Sequence, residues 1–304
     1  MNKYLTNKVP VCNSVKEVIA FLETHKGSKF CLYLAYKKPE DWDKSTSRVY
    51  MNQINEKLIY LPINIEKDDL RSIEGVYKLS EENHQIVAIN QTQPHKSNSV
   101  LKQWFAGQNI PTNVDSLVKD KYGRLQLFDL NGPSFTGWFK YEVSDFKNKH
   151  VIILGVGGVG EPIARKVIEN NPSKLFLIDK FSKEKLCEEL SEIGNVEYSS
   201  NLDQISLDEN EIIFINCAGK EGVDDSSAIN LLIKFKFKDN IFVDLRPHLN
   251  IDIVEEAKKL GWKAYTGYGM NARNDYSLLT KICEIIDVTP PSFQKFKELV
   301  AKAS

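Results

Sequence analysis

The residues whose types and spacing point most directly to chemistry are glycines. Gly155, Gly157, Gly158 and Gly160 follow the apolar, β-branched run Val151-Ile152-Ile153-Leu154 and precede the helical stretch Glu161-Pro162-Ile163-Ala164-Arg165. A strand that feeds G-x-G-x-x-G and then a helix is built to hold a dinucleotide. The glycines allow a tight turn, and backbone N–H groups reach a pyrophosphate at the helix N-terminus. Val159 belongs to the same turn. Asp179 closes the next apolar run, 24 residues after Gly155, near the spacing of about 20 at which an acid meets the adenosine ribose. A carboxylate there accepts from both ribose hydroxyls and repels a 2′-phosphate, so it favours NAD over NADP. Lys180 and Lys183 are the nearby cations, and no arginine follows closely. The plain alternatives are a Rossmann-like unit that binds no dinucleotide, and a solvated strand-end acid at Asp179. Glu161 would crowd a phosphate if it pointed inward.

These residues need a sheet to position them. The pattern alternates short β-rich runs with helical segments, which predicts parallel α/β units. Ser14 and Glu17 read as a capping box for a helix carrying Val15, Val18, Ile19 and Leu22, closed by Gly27. Strands are expected at 29–36, 57–65 and 85–90, with a helix over about 68–79. Two short strands follow in 113–128, then a turn at Asp129-Leu130-Asn131-Gly132 and a helix over about 134–143. The glycine-turn strand opens a second series, with further strands at 175–179, 211–216, 240–245 and 263–267. The last segment reads as two helices, about 271–287 and 291–302, broken at Pro290-Pro291. The resulting division is an α/β substrate-binding domain over 1–132, completed by the C-terminal helices of about 271–304, and a Rossmann domain over 133–270.

Composition narrows the class. A chain of 304 residues suits two domains of about 100–200 residues each. Hydrophobic residues at 42% and charged residues at 27% exclude wholesale disorder. With 40 basic against 41 acidic residues, there is no electrostatic reason to expect nucleic acid or an anionic membrane as the main partner. The apolar runs are too short and Gly-rich to span a bilayer, and the N-terminus lacks the apolar stretch of a signal peptide. Cys12, Cys31, Cys187, Cys217 and Cys283 are scattered without a CxxC pair, which suits reduced, mostly buried thiols in the cytoplasm. The histidines are dispersed, so nothing supports a metal site.

The first unit adds a resemblance. Ile89-Asn90-Gln91-Thr92-Gln93-Pro94-His95-Lys96 resembles the N-V-T-x-P-x-K stretch of the shikimate/quinate dehydrogenase family. Lys44-Ser45-Thr46-Ser47 resembles its H-S-x-S turn, with Asn52 at the spacing of its downstream asparagine. Val114-Asp115-Ser116-Leu117 stands where the family has V-N-T-L, and Asp129-Leu130-Asn131-Gly132 where it has N-T-D-G. Asn216-Cys217-Ala218 resembles its I-N-A strand end. Gly267-Tyr268-Gly269-Met270 resembles its G-x-x-M, which puts Asn274 at its substrate-binding glutamine. The matches keep the family's order from about residue 29 to residue 285.

The resemblance implies a two-domain dehydrogenase that moves hydride between a nicotinamide cofactor and a small carboxylated cyclic hydroxy or keto compound. It implies substrate contacts from Ser45, Ser47, Asn90, Thr92, Asp129 and Asn274. It implies cofactor contacts from the glycine turn, Asp179, Lys180, Asn216, Ala218 and Gly267, and it allows a homodimer. Lys96 carries over as the lysine that handles the proton of the reacting hydroxyl. The departures lie on the side that reads ring hydroxyls: the family's catalytic aspartate is Asn131, and its asparagine of V-N-T-L is Asp115. Asn131 can hydrogen-bond a hydroxyl but cannot take its proton at neutral pH. Asp115 is therefore expected to partner Lys96. An added acid at Asp115 or Asp129 also suits an amino-bearing substrate. The competing expectation is a dinucleotide-binding sensor or partner protein without turnover, or non-redox chemistry on an amine or amide. Trp138 and Tyr268 are expected to pack rather than to stack on a base.

Overall fold

The computed structural model describes residues 9–38, 58–200, 205, 211–219, 225–235, 239–246 and 252–301. Two units emerge. The first is drawn from the chain up to Leu130 and from Asn274 onward, and the second is Asn131–Arg273.

In the first unit Ser14 caps α1 (Val15–Thr24), its hydroxyl accepting from the Glu17 N–H at 3.3 Å. The reciprocal bond runs from the Asn13 N–H to Glu17 at 2.9 Å, one residue before the cap. The strands are β1 (Lys29–Ala35), β2 (Leu58–Asn64), β3 (Ile86–Gln91), β4 (Ser116–Lys119) and β5 (Leu125–Phe128). They form one sheet in the order β2-β1-β3-β4-β5, parallel through β3 and antiparallel beyond it. One face packs on α1, α2 (Leu70–Glu82) and α3 (Ser99–Trp104), where Phe30, Leu32, Leu34, Ile89 and Leu117 meet Val18, Ile73, Tyr77 and Leu101. The other face carries Cys31, Tyr33, Ala88 and Val118. It is covered by Leu278, Leu279 and Ile282 of a long C-terminal helix and by Phe296 of the last one. The alternation of side chains along β1, β3 and β4 assigns these residues to opposite faces.

The second unit begins with α4 (Asn131–Glu142). It continues through β6 (His150–Leu154), α5 (Gly160–Ile168), β7 (Lys174–Ile178), α6 (Glu184–Ser191), β8 (Val196–Ser199) and β9 (Ile212–Asn216). Then come α7 (Asp225–Lys234), β10 (Ile241–Asp244), α8 (Asp252–Lys259) and β11 (Lys263–Thr266). The helices α9 (Tyr268–Ile285) and α10 (Phe293–Ala301) end the described chain. Sheet order is β11-β10-β9-β6-β7-β8, every pair parallel. That is the doubly wound order, with its reversal at β6. Strands β6, β9 and β10 are buried along their whole length, as a sheet covered on both faces requires.

Trp138 packs as expected, 3% exposed, against Phe135 and Phe139. Tyr268 does not: as the first residue of α9 it is 47% exposed. A Cβ on the buried Gly269 would run into the Trp138 indole. Gly269→Ala is therefore expected to cost about 1–3 kcal/mol or more through overpacking, read as a lowered urea midpoint. Gly269→Ala combined with Trp138→Phe should recover part of it.

Candidate active site

In the second unit the glycine turn is shaped by collisions that side chains would cause. Gly155 has φ +83°, and a Cβ there would lie 2.5 Å from the Ala218 Cα. A Cβ on Gly160 would run into the Gly155 carbonyl. The fold itself demands these two glycines. Gly157 differs, because a Cβ there would meet nothing within 4 Å. It leaves open space one turn ahead of α5, where the helix's first N–H groups lack intrahelical partners. Gly158 and Val159 complete the turn, Val159 packing partly on the unit's core. Glu161 does not crowd the turn: it faces Arg165, Oε1 accepting from Nη2 at 3.0 Å, and Arg165 also donates to Glu189 at 2.9 Å.

Asp179 follows β7 and anchors the turn. Its Oδ2 accepts from the Val156 N–H at 2.7 Å and its Oδ1 from the Phe181 N–H at 2.9 Å. A carboxylate has about four acceptor positions, so capacity remains for ribose hydroxyls. Lys180 is exposed, its ammonium 5.1 Å from the Phe181 ring centroid. Asn216 ends β9, 1% exposed, and its Oδ1 accepts from the Ala218 N–H at 3.2 Å. The Cys217 N–H reaches Leu154 O at 2.7 Å and the Leu245 N–H reaches Asn216 O at 2.9 Å. The ends of β6, β9 and β10 are thus tied together beside the reversal of strand order, where doubly wound folds hold their ligands. A Cβ on Gly267 would lie 3.0 Å from the Leu245 Cα, so the chain after β11 also closes tightly there. Sequence reasoning missed Arg246, which forks onto Asp244 with Nε–Oδ1 and Nη2–Oδ2 both 2.9 Å, the two side chains 7% and 4% exposed. An Asp-x-Arg directly at a strand end was the available signal.

In the first unit a buried network sets the turn that bears Lys96. The His95 N–H donates to Thr92 O at 2.8 Å, and the His95 Nε2–H donates to Ile65 O at 3.0 Å. His95 is fully buried, which lowers its pKa and keeps the ring neutral. Asn98 caps α3, accepting from the Leu101 N–H at 2.7 Å, and donates to the Tyr77 hydroxyl at 3.1 Å. Tyr77 donates to Gln91 Oε1 at 2.9 Å, and Gln91 Nε2 donates to Val114 O at 2.7 Å. The Val114 N–H closes the loop on Lys96 O at 2.8 Å. Lys96 is therefore held by its backbone beside Asp115, with a half-buried side chain.

Asp115 is pinned on both backbone sides: its N–H donates to Phe128 O at 3.0 Å, and its carbonyl accepts from the Gln91 N–H at 2.8 Å. Its Oδ2 accepts from the Leu130 N–H at 3.0 Å and from Asn274 Nδ2 at 3.4 Å. Among the described residues its buried Oδ1 has no hydrogen-bond partner, although the Ser116 hydroxyl lies close by. Burial pushes the carboxyl above the ordinary range, and the Lys96 ammonium, the Ser116 and Asn274 side chains and the Leu130 N–H pull it back down. Asn90, 9% exposed, lies opposite Ser116 in the β3–β4 register. Thr92 is half-buried and its N–H donates to Leu34 O at 3.1 Å.

The structure thus brings Lys96, Asp115, Asn90, Thr92 and Asn274 into one unit. Asp129 is half-buried just before the boundary, and Asn131, 5% exposed, heads α4 in the other unit. Ser45 and Ser47, with Lys44, Thr46 and Asn52, lie outside the described residues. Among the described residues no group of three or more His, Cys, Asp or Glu could hold a metal ion, and no helix is long and apolar enough to cross a membrane.

Sequence reasoning also passed over Asp275, the residue after Asn274. Burial and the nearby Asp115 charge push its carboxyl up to about 7. The signal was helical spacing. Asp275, Leu278, Leu279 and Ile282 form one stripe at i, i+3, i+4, i+7, and the three apolar members are fully buried.

No protein-family model matches the chain, and no curated protein matches it by sequence. Solved structures match it in fold. Shikimate 5-dehydrogenase from Listeria monocytogenes, in complex with shikimate and NAD, is 15% identical with a TM-score of 0.71, covering 98% of this chain and 100% of that one. The Thermus thermophilus enzyme, in complex with NADP(H) and shikimate, is 18% identical with a TM-score of 0.64, covering 91% and 100%. A 5-ketofructose reductase from a Gluconobacter species is 15% identical with a TM-score of 0.66, covering 91% and 99%. The two-domain fold with its Rossmann unit is that of the shikimate dehydrogenases.

Proposed function

We propose that this protein is a nicotinamide-dependent oxidoreductase of the shikimate/quinate dehydrogenase type, acting on a small carboxylated cyclic hydroxy or keto compound in a specialised pathway. The glycine turn is the observation that carries the reading. Gly155 and Gly160 hold its shape, Gly157 leaves it open, and Asp179 fastens it from below while keeping acceptor capacity. These residues fit a dinucleotide: the turn and the N-terminus of α5 meet the pyrophosphate, and Asp179 meets the ribose. A nicotinamide held there would supply or take up hydride at the reacting carbon. Lys96 and Asp115 handle the proton at the neighbouring oxygen, and Thr92, Asn90 and Asn274 orient the substrate.

The solved structures of this fold carry NAD in one case and NADP(H) in another, so Asp179 decides the preference here. Asp179→Ser removes the charge that repels a 2′-phosphate. We expect NAD affinity to fall about tenfold and the NAD-over-NADP preference to shrink at least as much, the loss of one charged hydrogen bond being worth about 1.5–3 kcal/mol. Calorimetric titration with both dinucleotides measures it. An unchanged ratio would place the ribose elsewhere.

Ser45, Ser47 and Thr92 are the candidates for a substrate carboxylate. The acids at Asp115 and Asp129, absent from the resembling motifs, make an amino-bearing ring a candidate substrate. A 5-ketofructose reductase shares the fold, so keto sugars belong in the assay beside cyclic keto acids and their amino analogues. Oxidation of NADH by any of them supports the reading. Tight NAD binding with no turnover across the panel supports the second reading, a dinucleotide-binding sensor or partner. Asn131 in place of an aspartate favours that reading.

A further inference from the structure

Asp275 has no place in the motifs that resemble the dehydrogenase family, yet it stands among the site's residues. Asn274, its neighbour on α9, donates to Asp115 at 3.4 Å. The helical stripe it shares with Leu278, Leu279 and Ile282 packs on the sheet face of Cys31, Ala88 and Val118. Side-chain alternation puts Asn90 and Ser116 on that same face, at the ends of β3 and β4 nearest Asp115. Asp275 therefore lies over the strand that leads to the Lys96 turn. Its surface is only partly covered, but it sits deep enough for desolvation to dominate its chemistry.

Among the described residues the groups facing this carboxyl are few. From β1 comes Cys31, a buried thiol whose pKa burial and the Asp275 charge push up, so it stays neutral. From the lead-in to β4 comes Asp115, and behind Asp115 stands the Lys96 ammonium from the turn after β3. Two carboxyls crowded away from water cannot both ionise cheaply. Lys96, Asn274 and the Leu130 N–H all favour charge on Asp115, and nothing that acts on Asp275 favours charge there. Among the described residues one oxygen of the pair, Asp115 Oδ1, has no hydrogen-bond partner.

We propose that Asp275 is a positioning residue that holds the proton of a two-carboxyl pair at neutral pH, so that Asp115 remains ionised and its free Oδ1 serves as the base for the substrate hydroxyl. The pair then supplies the carboxylate that Asn131 cannot. In the oxidising direction the carbinol C–H bond breaks and its electron pair leaves with the hydrogen to an oxidised nicotinamide, which is reduced. The O–H bond breaks, its electrons form the carbonyl, and its proton passes to Asp115 Oδ1. The ammonium of Lys96 stabilises the negative charge that builds on the oxygen. This use of the pair rests on the oxidoreductase reading; the shared proton itself is a property of the chain without any cofactor.

The test uses the full-length, cofactor-free protein labelled with carbon-13 at the aspartate and glutamate side-chain carboxyls and titrated by NMR from about pH 4 to about pH 9. One aspartate resonance should titrate near neutrality. It should vanish in Asp275→Asn, move down by a unit or more in Asp115→Asn, and reappear in Asp275→Glu as a glutamate carboxyl titrating high. Aspartates that titrate only in the ordinary range, or an upper midpoint that ignores Asp115→Asn, overturn the proposal. The wild-type titration decides even if a variant fails to fold. NAD binding measured on the same samples separates the outcomes: a normal titration with NAD bound defeats the pair alone, and loss of NAD binding in the wild type defeats the oxidoreductase reading alone.

Discussion

Gly157→Ala should weaken dinucleotide binding about 10–100-fold while leaving the melting temperature essentially where it was. Gly160→Ala, three residues on, should lose binding and stability together. The two glycines look alike in the sequence and differ in what surrounds them. At Gly157 a methyl group meets nothing within 4 Å, and the residue is not among those with positive φ, so alanine is free of strain. The methyl fills the space in front of the first N–H groups of α5 and keeps a phosphate from reaching them. Losing one charge-assisted hydrogen bond, at about 1.5–3 kcal/mol, gives the stated range. At Gly160 the methyl runs into the Gly155 carbonyl, a backbone atom that cannot turn aside. Either α5 moves or the turn opens, at a cost of several kcal/mol. Calorimetric titration with NAD and a thermal melt, run on both variants, separate the effects. Undiminished affinity in Gly157→Ala would mean that no phosphate sits on this turn.

Much of this was legible because parallel strands covered on both faces leave a plain trace. Val151–Leu154 and Ile212–Ile215 are unbroken apolar runs, and both are strands. The edge strand β8, Val196–Ser199, left no such trace: every residue in it is half-exposed, so polar and apolar side chains are tolerated alike. Asp115 was visible only as a departure from a resembling motif, since neither its burial nor its unpartnered oxygen can be read from a single acid. Asp275 was legible in principle, standing on an apolar helical stripe, but an acid beside Asn274 reads equally well as a solvated helix position until the partner face is known. The fork of Arg246 on Asp244 was hidden for a related reason. Neighbouring opposite charges at a strand end usually face water, and only the fold shows that this pair is 7% and 4% exposed.

Lys96→Ala should lower turnover about 10²–10³-fold, the range for removing one donor aimed at a developing oxyanion, and should leave NAD affinity intact. The cradle residues all belong to the unit Asn131–Arg273, and Lys96 belongs to the other. Removing the ammonium also removes the first influence that holds the Asp115 carboxyl down against its burial, so Asp115 keeps its proton to higher pH. The acid limb of the rate profile should then shift upward, in the direction opposite to that expected from simply losing a base of ordinary pKa. Lys96→Arg divides the two roles. Arginine restores a positive charge beside Asp115 but does not release its proton at any working pH. It should return the acid limb toward its original position and recover much of the rate, because the proton passes to Asp115 and Lys96 acts through its charge. A rate left as low as in Lys96→Ala, with the acid limb restored, would assign a proton transfer to Lys96 itself. Turnover in Lys96→Ala equal to that of the wild type, on any substrate the panel identifies, would remove Lys96 from the reaction altogether.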